Sequence, residues 1–250
     1  MTTLLDELNA QYGRCATYED RGRASVNGNL SSRFRTRFVR GDLFEFEVEI
    51  WWAGFPSAGL RLKQRQGRFE FEAPATFPWY LTPRRLRTGV VACMGASSGA
   101  SWIVPTLLMP ELGWPTLARL RDVQEVVRPS STSITGELVR RTWLGVGRER
   151  GWRIDVEVSD ERLLERARIS NLPATDLGPI VIEYESVSMI SADGRTLGRP
   201  IAPNDEPHVH TGSRFGNANL APVAERGAGG RLREILDDDR RPFTARPRTG

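Results

Sequence analysis

The sequence predicts an α+β fold in which short helices pack on an antiparallel β-sheet with one apolar face and one charged face. Several runs alternate apolar and charged residues with period two, which is typical of strands that are buried on one side. Turn signals separate these runs at short distances, and no long helical pattern lies between them. Such short connections favour an antiparallel meander over parallel βαβ units.

Residues 2–13 predict the first element, a short helix. Thr3, followed by Asp6 and Glu7, is typical of a helix cap, and Gly13 is typical of a helix end. The apolar stripe of this helix consists of Leu4, Leu5, Leu8 and Tyr12. We expect this stripe to dock on the sheet.

The segment 33–50, RFRTRFVRGDLFEFEVEI, predicts a hairpin with Arg40-Gly41-Asp42 as its loop. In this register Phe38 faces Phe44 and Phe34 faces Val48. The opposite side of the hairpin pairs Arg33 with Glu49, Arg35 with Glu47 and Arg37 with Glu45. A shift by one residue would set phenylalanine opposite charge, so the sequence specifies the register strongly.

Further strands are predicted at 67–73, 123–127, 151–158, 165–170 and 180–189, with a short helix at 116–122. From about residue 199 onward, Pro, Gly, Asn and Ala accumulate without periodicity. We therefore expect two parts, a domain at 1–199 and an irregular tail at 200–250 with a short helix at 231–240.

The composition narrows the range of functions. The net charge is +4, but Lys63 is the only lysine among 35 basic residues, and the arginines are interleaved with acids. No helix-turn-helix, zinc or stacking motif accompanies this charge, so we expect no nucleic-acid partner.

The two cysteines, Cys15 and Cys93, exclude a disulfide framework, and no cofactor is predicted. The N-terminus lacks the pattern of a signal peptide, which predicts a cytoplasmic protein.

Residues 95–99, Gly-Ala-Ser-Ser-Gly, match the nucleophile elbow of serine hydrolases, with Ser97 as the nucleophile. The elbow needs a buried strand before it, for which 90–93 is the candidate. Asp176 or Asp193, followed by His208 or His210, would complete a triad. Hydrolase sheets, however, are parallel and covered on both faces, whereas the sheet predicted here has a charged face.

His208 and His210 are also the candidate metal ligands, because residues two apart in an extended chain point the same way. Two ligands without a fixed third do not make a metal site, so no metal is predicted.

Residues 88–110 contain no charged side chain, over a length that could cross a bilayer. Glycine, serine and proline interrupt this segment, and no basic asymmetry flanks it, so we do not expect a membrane span. Small residues let a backbone approach a sheet closely. The segment is therefore predicted to fill the concave side of the sheet with the large apolar residues of 102–109.

These pieces resemble bacterial LolA/LppX-type proteins, and in particular their uncharacterised periplasmic relatives, over roughly residues 4–189. The matching motifs are the first helix, a short tyrosine-containing turn at 18–22, Phe-x-Thr-x-Phe-Val-Arg at 34–40, Phe-x-Phe-x-Val at 44–48, Pro-Thr-Leu-Leu-Met-Pro at 105–110, and Trp-Arg-Ile-Asp-Val-x-Val at 152–158 leading into Leu-Leu-Glu-Arg-Ala-Arg-Ile at 163–169. The resemblance implies a sheet curled into a half-barrel, with helices on its concave face. It also implies a cell-envelope location and binding of acyl chains or lipoproteins without a catalytic triad.

We therefore expect non-enzymatic binding of a hydrophobic or amphipathic ligand, a lipid or acyl chain, in the concave face. The expected lining consists of Trp51, Trp52, Trp79, Trp102, Ile103, Leu107, Leu108 and Trp114. The alternative is a protein-interaction module that grips a polypeptide with the concave face or the tail. A second alternative is the serine hydrolase.

Overall fold

The computed structural model describes residues 3–52, 55–75, 82–112, 117–128, 131–140, 150–172 and 178–198. The helices in these ranges are α1 (Leu4–Arg14), α2 (Leu86–Ala96) and α3 (Ala100–Leu108), with short 3₁₀ helices at Pro110–Leu112 and Leu117–Arg119. The strands are β1 (Thr17–Val26), β2 (Asn29–Val39), β3 (Leu43–Trp52), β4 (Phe55–Arg65), β5 (Arg68–Glu72), β6 (Arg121–Val127), β7 (Ser131–Arg140), β8 (Arg150–Ser159), β9 (Leu164–Leu172), β10 (Ile180–Ile190) and β11 (Thr196–Gly198).

These eleven described strands form one antiparallel sheet in the order β5-β4-β3-β2-β1-β10-β9-β8-β7-β6, with β11 paired to β10. The chain builds β1 to β5 outward, passes through α2 and α3, and returns through β6 to β10. As a result β1 and β10 pair at the centre of the sheet, and β5 and β6 are its edges. The predicted fold class is confirmed: the fold is α+β, with a curled, open antiparallel sheet and short helices on its concave face.

The hairpin of β2 and β3 has the predicted register. Phe38 pairs with Phe44 and Phe34 with Val48, and all four side chains are buried. On the opposite face arginine stands across from glutamate at the predicted positions, Arg33–Glu49, Arg35–Glu47 and Arg37–Glu45, and the Arg37 and Glu45 side chains form an ion pair at 3.3 Å. Each cross-strand pair contributes about 0.2–1 kcal/mol. Because both faces would be mismatched by a shift of one residue, these pairs specify a single register.

The sequence patterns did not predict β1, β4, β7 or β11. Residues 18–22, expected to form a turn, lie instead inside β1. The residues that β1 places on the interior face are Tyr18, Asp20, Gly22 and Ala24. Because two of these residues are polar and two are small, the strand shows no apolar alternation, although it lies at the centre of the sheet.

Helix α1 begins as predicted, at a capping box. The Thr3 hydroxyl accepts a hydrogen bond from the backbone N–H of Asp6 at 3.1 Å, and the Asp6 carboxylate accepts one from the Thr3 N–H at 3.2 Å. Leu4, Leu5, Leu8 and Tyr12 are buried, so the predicted stripe packs into the core.

Residues 200–250 lie outside the described part of the chain, together with the helix expected at 231–240 and the two histidines. The division into a domain and a tail therefore stays a prediction.

Candidate ligand-binding site

A pair of helices covers the concave face of the sheet. We call residues 86–109, which comprise α2, α3 and the bend between them, the cover. All nine residues of α3 are buried, although a surface helix normally buries only one stripe. Leu86, Val90 and Cys93 of α2 and most of α3 belong to the same core cluster as the inner-face residues of the sheet. The uncharged segment therefore packs inside the half-barrel, as predicted.

In the described part of the chain, none of the helices combines the length and the hydropathy of a membrane-spanning segment.

Glycines allow the cover to approach the sheet closely. A Cβ atom on Gly89 would lie 2.9 Å from the ring of Phe69 in β5, closer than Cβ atoms normally come to other atoms. Gly99, in the bend between α2 and α3, has a φ of 91°, and a Cβ there would lie 3.2 Å from Ile169 of β9. Glycine is favoured at this second position by conformation as well as by space.

Side-chain hydrogen bonds lie at the bend and the C-terminal end of the cover. At the bend, the Ser98 hydroxyl is 2.8 Å from the hydroxyl of Ser31 in β2. The Ser101 hydroxyl donates to the Val90 carbonyl at 2.9 Å and so links α3 to α2. At the far end, Arg40 of the β2–β3 loop donates to the carbonyl of Leu108 at 3.2 Å.

Arg40 also ties this end of the cover to α1. Its guanidinium donates to the carbonyls of Tyr12 at 3.2 Å and Cys15 at 2.7 Å. The two helices therefore end at one cation, which interacts favourably with the partial negative charge of a helix C-terminus. The backbone of Tyr12 and the last residue of α3 meet at this point.

The structure separates the predicted lining residues into groups. Trp102, Ile103, Leu107 and Leu108 lie together in α3, and all four are buried. The Trp102 ring packs edge-to-face on the ring of Trp152 in β8, with centroids 6.0 Å apart. Leu107 and Leu108 are 2% and 0% exposed, so they form part of the filled interior in this structure.

Trp51, which the sequence placed in the lining, contacts residues of the outer face of the hairpin. Its indole N–H donates to the Glu49 carboxylate at 2.9 Å, and the guanidinium of Arg33 lies 4.9 Å from the centre of its ring. Glu49 and Arg33 are on the charged outer face of the hairpin, and Trp51 is too, because side chains alternate along a strand. Trp52 ends β3, but its side chain lies outside the described structure, as do Trp79 and Trp114.

Ser97 lacks the surroundings of a nucleophile elbow. Residues 90–93, the candidate strand, belong to helix α2, and Ser97 is the residue that ends this helix. Its hydroxyl is buried and accepts a hydrogen bond from the backbone N–H of Ser101 at 3.0 Å. This serine therefore joins two helices rather than a strand and a helix.

A buried polar cluster lies on the interior face of the central strands, where the sequence did not predict a site. We call Tyr12, Tyr18, Asp20, Thr36 and Tyr184 the Asp20 cluster. The Asp20 carboxylate is fully buried and accepts hydrogen bonds from the Tyr18 hydroxyl at 2.8 Å and the Thr36 N–H at 2.9 Å. The Tyr12 hydroxyl accepts from the Leu164 N–H at 3.0 Å.

Burial dominates the electrostatics of this cluster. It raises the pKa of Asp20 to about 7, despite the opposing hydrogen bonds from Tyr18 and Thr36. Burial and then the charge of Asp20 raise the pKa of Tyr184 well above its usual value, and Tyr12 adds to this effect. The Tyr184 hydroxyl is buried and has no hydrogen-bond partner among the described residues. The sequence did not signal this cluster, because Tyr18 and Asp20 fall in the segment that was expected to form a turn.

No protein-family model matches the sequence. A search of curated proteins also finds no match. Among solved structures, the chain is similar to a "putative lipoprotein" from Parabacteroides distasonis, with 7% identity, a TM-score of 0.33, and coverage of 71% of this chain and 98% of that one. A TM-score this low does not establish a shared fold. Membership of the LolA/LppX-type proteins therefore stays a prediction.

Proposed function

We propose that this protein binds a hydrophobic or amphipathic ligand, such as the acyl chain of a lipid, between the concave face of the sheet and the cover. The observation that carries this proposal is helix α3, which is apolar and buried on every side yet belongs to neither the hydrogen-bonded sheet nor a helical bundle. The protein acts as a carrier or receptor and performs no reaction.

The nature of the contact between cover and sheet supports this proposal. The cover meets the inner face through apolar side chains such as those of Ile103, Leu107 and Leu108, and apolar contacts are not directional. An acyl chain offers the same kind of surface, so it can replace these contacts without leaving polar groups unpaired. Burial of each methylene contributes about 0.8 kcal/mol, and half of a long chain supports micromolar affinity after the cost of association.

Displacement of a fluorescent fatty acid tests the proposal. Fatty acids and monoacylglycerols of increasing chain length should compete with the probe, and each added methylene should tighten binding about three- to fourfold until the site is full. A ligand that binds the folded state should also raise the melting temperature. Failure of folded protein to bind any acyl chain, anionic or neutral, would defeat the proposal.

A protein-interaction module is the second candidate, and the edge strand β6 favours it. Every residue of β6 is exposed, Val126 and Val127 are 54% and 80% exposed, and the strand is an edge of the described sheet. An edge strand of this kind can pair with an extended polypeptide. If a peptide bound to β6 leaves the affinity for acyl chains unchanged, the two functions use separate sites.

The cellular compartment also belongs to the proposal. Lipid carriage between membranes would require the envelope location that the LolA/LppX resemblance implies, rather than the cytoplasm. Binding of an acyl chain is compatible with both locations.

A further inference from the structure

We infer that the Asp20 cluster recognises the polar end of the ligand, and that this end is neutral and carries hydroxyl groups. The inference rests on the proposed function and specifies which class of amphiphile the site prefers. Monoacylglycerols belong to this class, whereas free fatty acids, whose head group is a carboxylate, do not.

The position of the cluster connects it to the cover. Tyr12 belongs to the last turn of α1, and its carbonyl accepts a hydrogen bond from the same Arg40 nitrogen that donates to Leu108 at the end of α3. The Tyr12 ring lies 5.5 Å from the ring of Tyr18, whose hydroxyl donates to Asp20. Displacement of the cover from the sheet would therefore bring a ligand close to the Asp20 cluster.

The cluster has hydrogen-bonding capacity to offer. Tyr184 is only 7% exposed, and its hydroxyl has no hydrogen-bond partner among the described residues. Burying such a hydroxyl costs free energy, and a phenylalanine would avoid the cost with nearly the same shape. Tyr184 of β10 pairs with Gly22 of β1, which is two residues from Asp20 and on the same face of the strand, and the Asp20 charge raises the pKa of Tyr184. Together the two groups present one donor and one acceptor in an apolar interior.

The charges around the cluster select the head group. Asp20 faces Tyr12 from α1, Tyr18 from its own strand and Tyr184 from β10, and the neighbouring Glu19 adds further negative charge. None of these groups is a cation at neutral pH, and the Arg40 guanidinium beside the Tyr12 backbone donates to the carbonyls of Tyr12, Cys15 and Leu108. A second carboxylate placed beside Asp20 would be repelled, whereas a hydroxyl can donate to Asp20 and accept from Tyr184.

Competition binding with two lipids of equal chain length tests this inference. Monooleoylglycerol and oleate should be compared on wild type, Asp20→Asn and Tyr184→Phe at about pH 8, one unit above the pKa of about 7 for Asp20. Wild type should bind monooleoylglycerol about tenfold more tightly or better. Asp20→Asn should reduce the preference for monooleoylglycerol, because oleate gains affinity. The control Asp42→Asn removes an exposed loop carboxylate and should leave the preference unchanged.

Tyr184→Phe separates a recognition role from a structural one. We expect it to weaken monooleoylglycerol binding about fivefold, the effect of one hydrogen bond, and to leave oleate binding unchanged. Its melting temperature should equal or exceed that of wild type. A lowered melting temperature with unchanged binding would show that the hydroxyl is structural and would overturn the inference.

The outcomes also distinguish this inference from the proposed function. Equal affinity for the two lipids in all variants would overturn the head-group assignment and leave acyl-chain binding intact. Failure of both lipids to bind wild type would overturn both.

Discussion

The β2–β3 hairpin and the cover are both largely buried, but different forces hold them in place. The hairpin is fixed by a backbone ladder, by phenylalanine pairs on its inner face and by arginine–glutamate pairs on its outer face. The cover is held by apolar packing, with hydrogen bonds at its bend and at its C-terminal end. The hairpin is a scaffold because each of its residues makes directional interactions. The cover can move because another apolar group can replace its packing contacts.

Two adjacent residues of β3 test how strongly the two faces of the scaffold differ. Phe46 is 0% exposed on the inner face, and Phe46→Asp should cost at least about 5 kcal/mol, because it removes a packed ring and buries an unpaired charge. Glu47 lies on the outer face, 3.2 Å from Arg61, and Glu47→Gln should cost about 1 kcal/mol or less. Urea unfolding measures both losses, and comparable values would contradict the assignment of the faces.

The pH dependence of stability tests whether the cover seals the interior from water. The folded pKa of Asp20 is about 7, above its unfolded value of 3.8, so the folded state binds the extra proton between these values. The contribution of Asp20 to the free energy of unfolding should therefore be greatest below about pH 4. It should fall by as much as about 4 kcal/mol as the pH rises to about 7.

Asp20→Asn supplies the control for this prediction, because it removes the titrating group. Urea unfolding of the variant should lack the decline between about pH 4 and about pH 7 that wild type shows. Parallel profiles for the two proteins would mean that Asp20 is hydrated, and that the cover does not exclude water from the central strands.

The third prediction concerns the polar tie between scaffold and cover. Arg40→Ala removes hydrogen bonds to the carbonyls of Tyr12, Cys15 and Leu108, and it should cost about 1–2 kcal/mol because the side chain is partly exposed. Amide exchange at the end of α3 should accelerate more than exchange in β2 and β3. Arg65→Ala, which removes an arginine that is 63% exposed and 3.9 Å from Asp42, should change neither quantity measurably. Equal acceleration in α3 and the hairpin would show that the two regions open together.

The hairpin and the cover also differ in how much of their structure could be predicted from the sequence. The register of the hairpin was predictable in full, because each side chain from Arg33 to Glu49 reports which face it occupies. The cover was predictable as a buried segment, from its lack of charge, but not as two helices. Its glycines and serines suit a bend as well as a strand, and Pro105 lies inside α3.

The candidate site was harder to predict than the fold. The four α3 residues of the expected lining lie together, but tryptophan content alone could not show which face of β3 carries Trp51. The Asp20 cluster brings together residues from α1, β1, β2 and β10. Some of them are far apart in the sequence, such as Tyr12 and Tyr184. Such a cluster depends on strand order, and the pairing of β1 with β10 at the centre has no local signal.

A reversible lock on the cover tests the central claim that it must move for a ligand to bind. The hydroxyls of Ser31 and Ser98 are 2.8 Å apart, and cysteines at both positions would need only a small shift to reach a disulfide bond of about 2.05 Å. The native Cys15 and Cys93 are both buried, so they should not interfere in the folded protein. Each single variant, Ser31→Cys or Ser98→Cys, serves as a control under the same oxidising conditions.

The measurement is the affinity of the oxidised and reduced double variant for a fluorescent acyl chain. We expect at least about tenfold weaker binding in the oxidised form, and full recovery of wild-type affinity after reduction, because the bond joins the bend of the cover to β2. Unchanged affinity in protein whose disulfide has been verified by thiol titration would contradict the account and place the ligand elsewhere on the molecule.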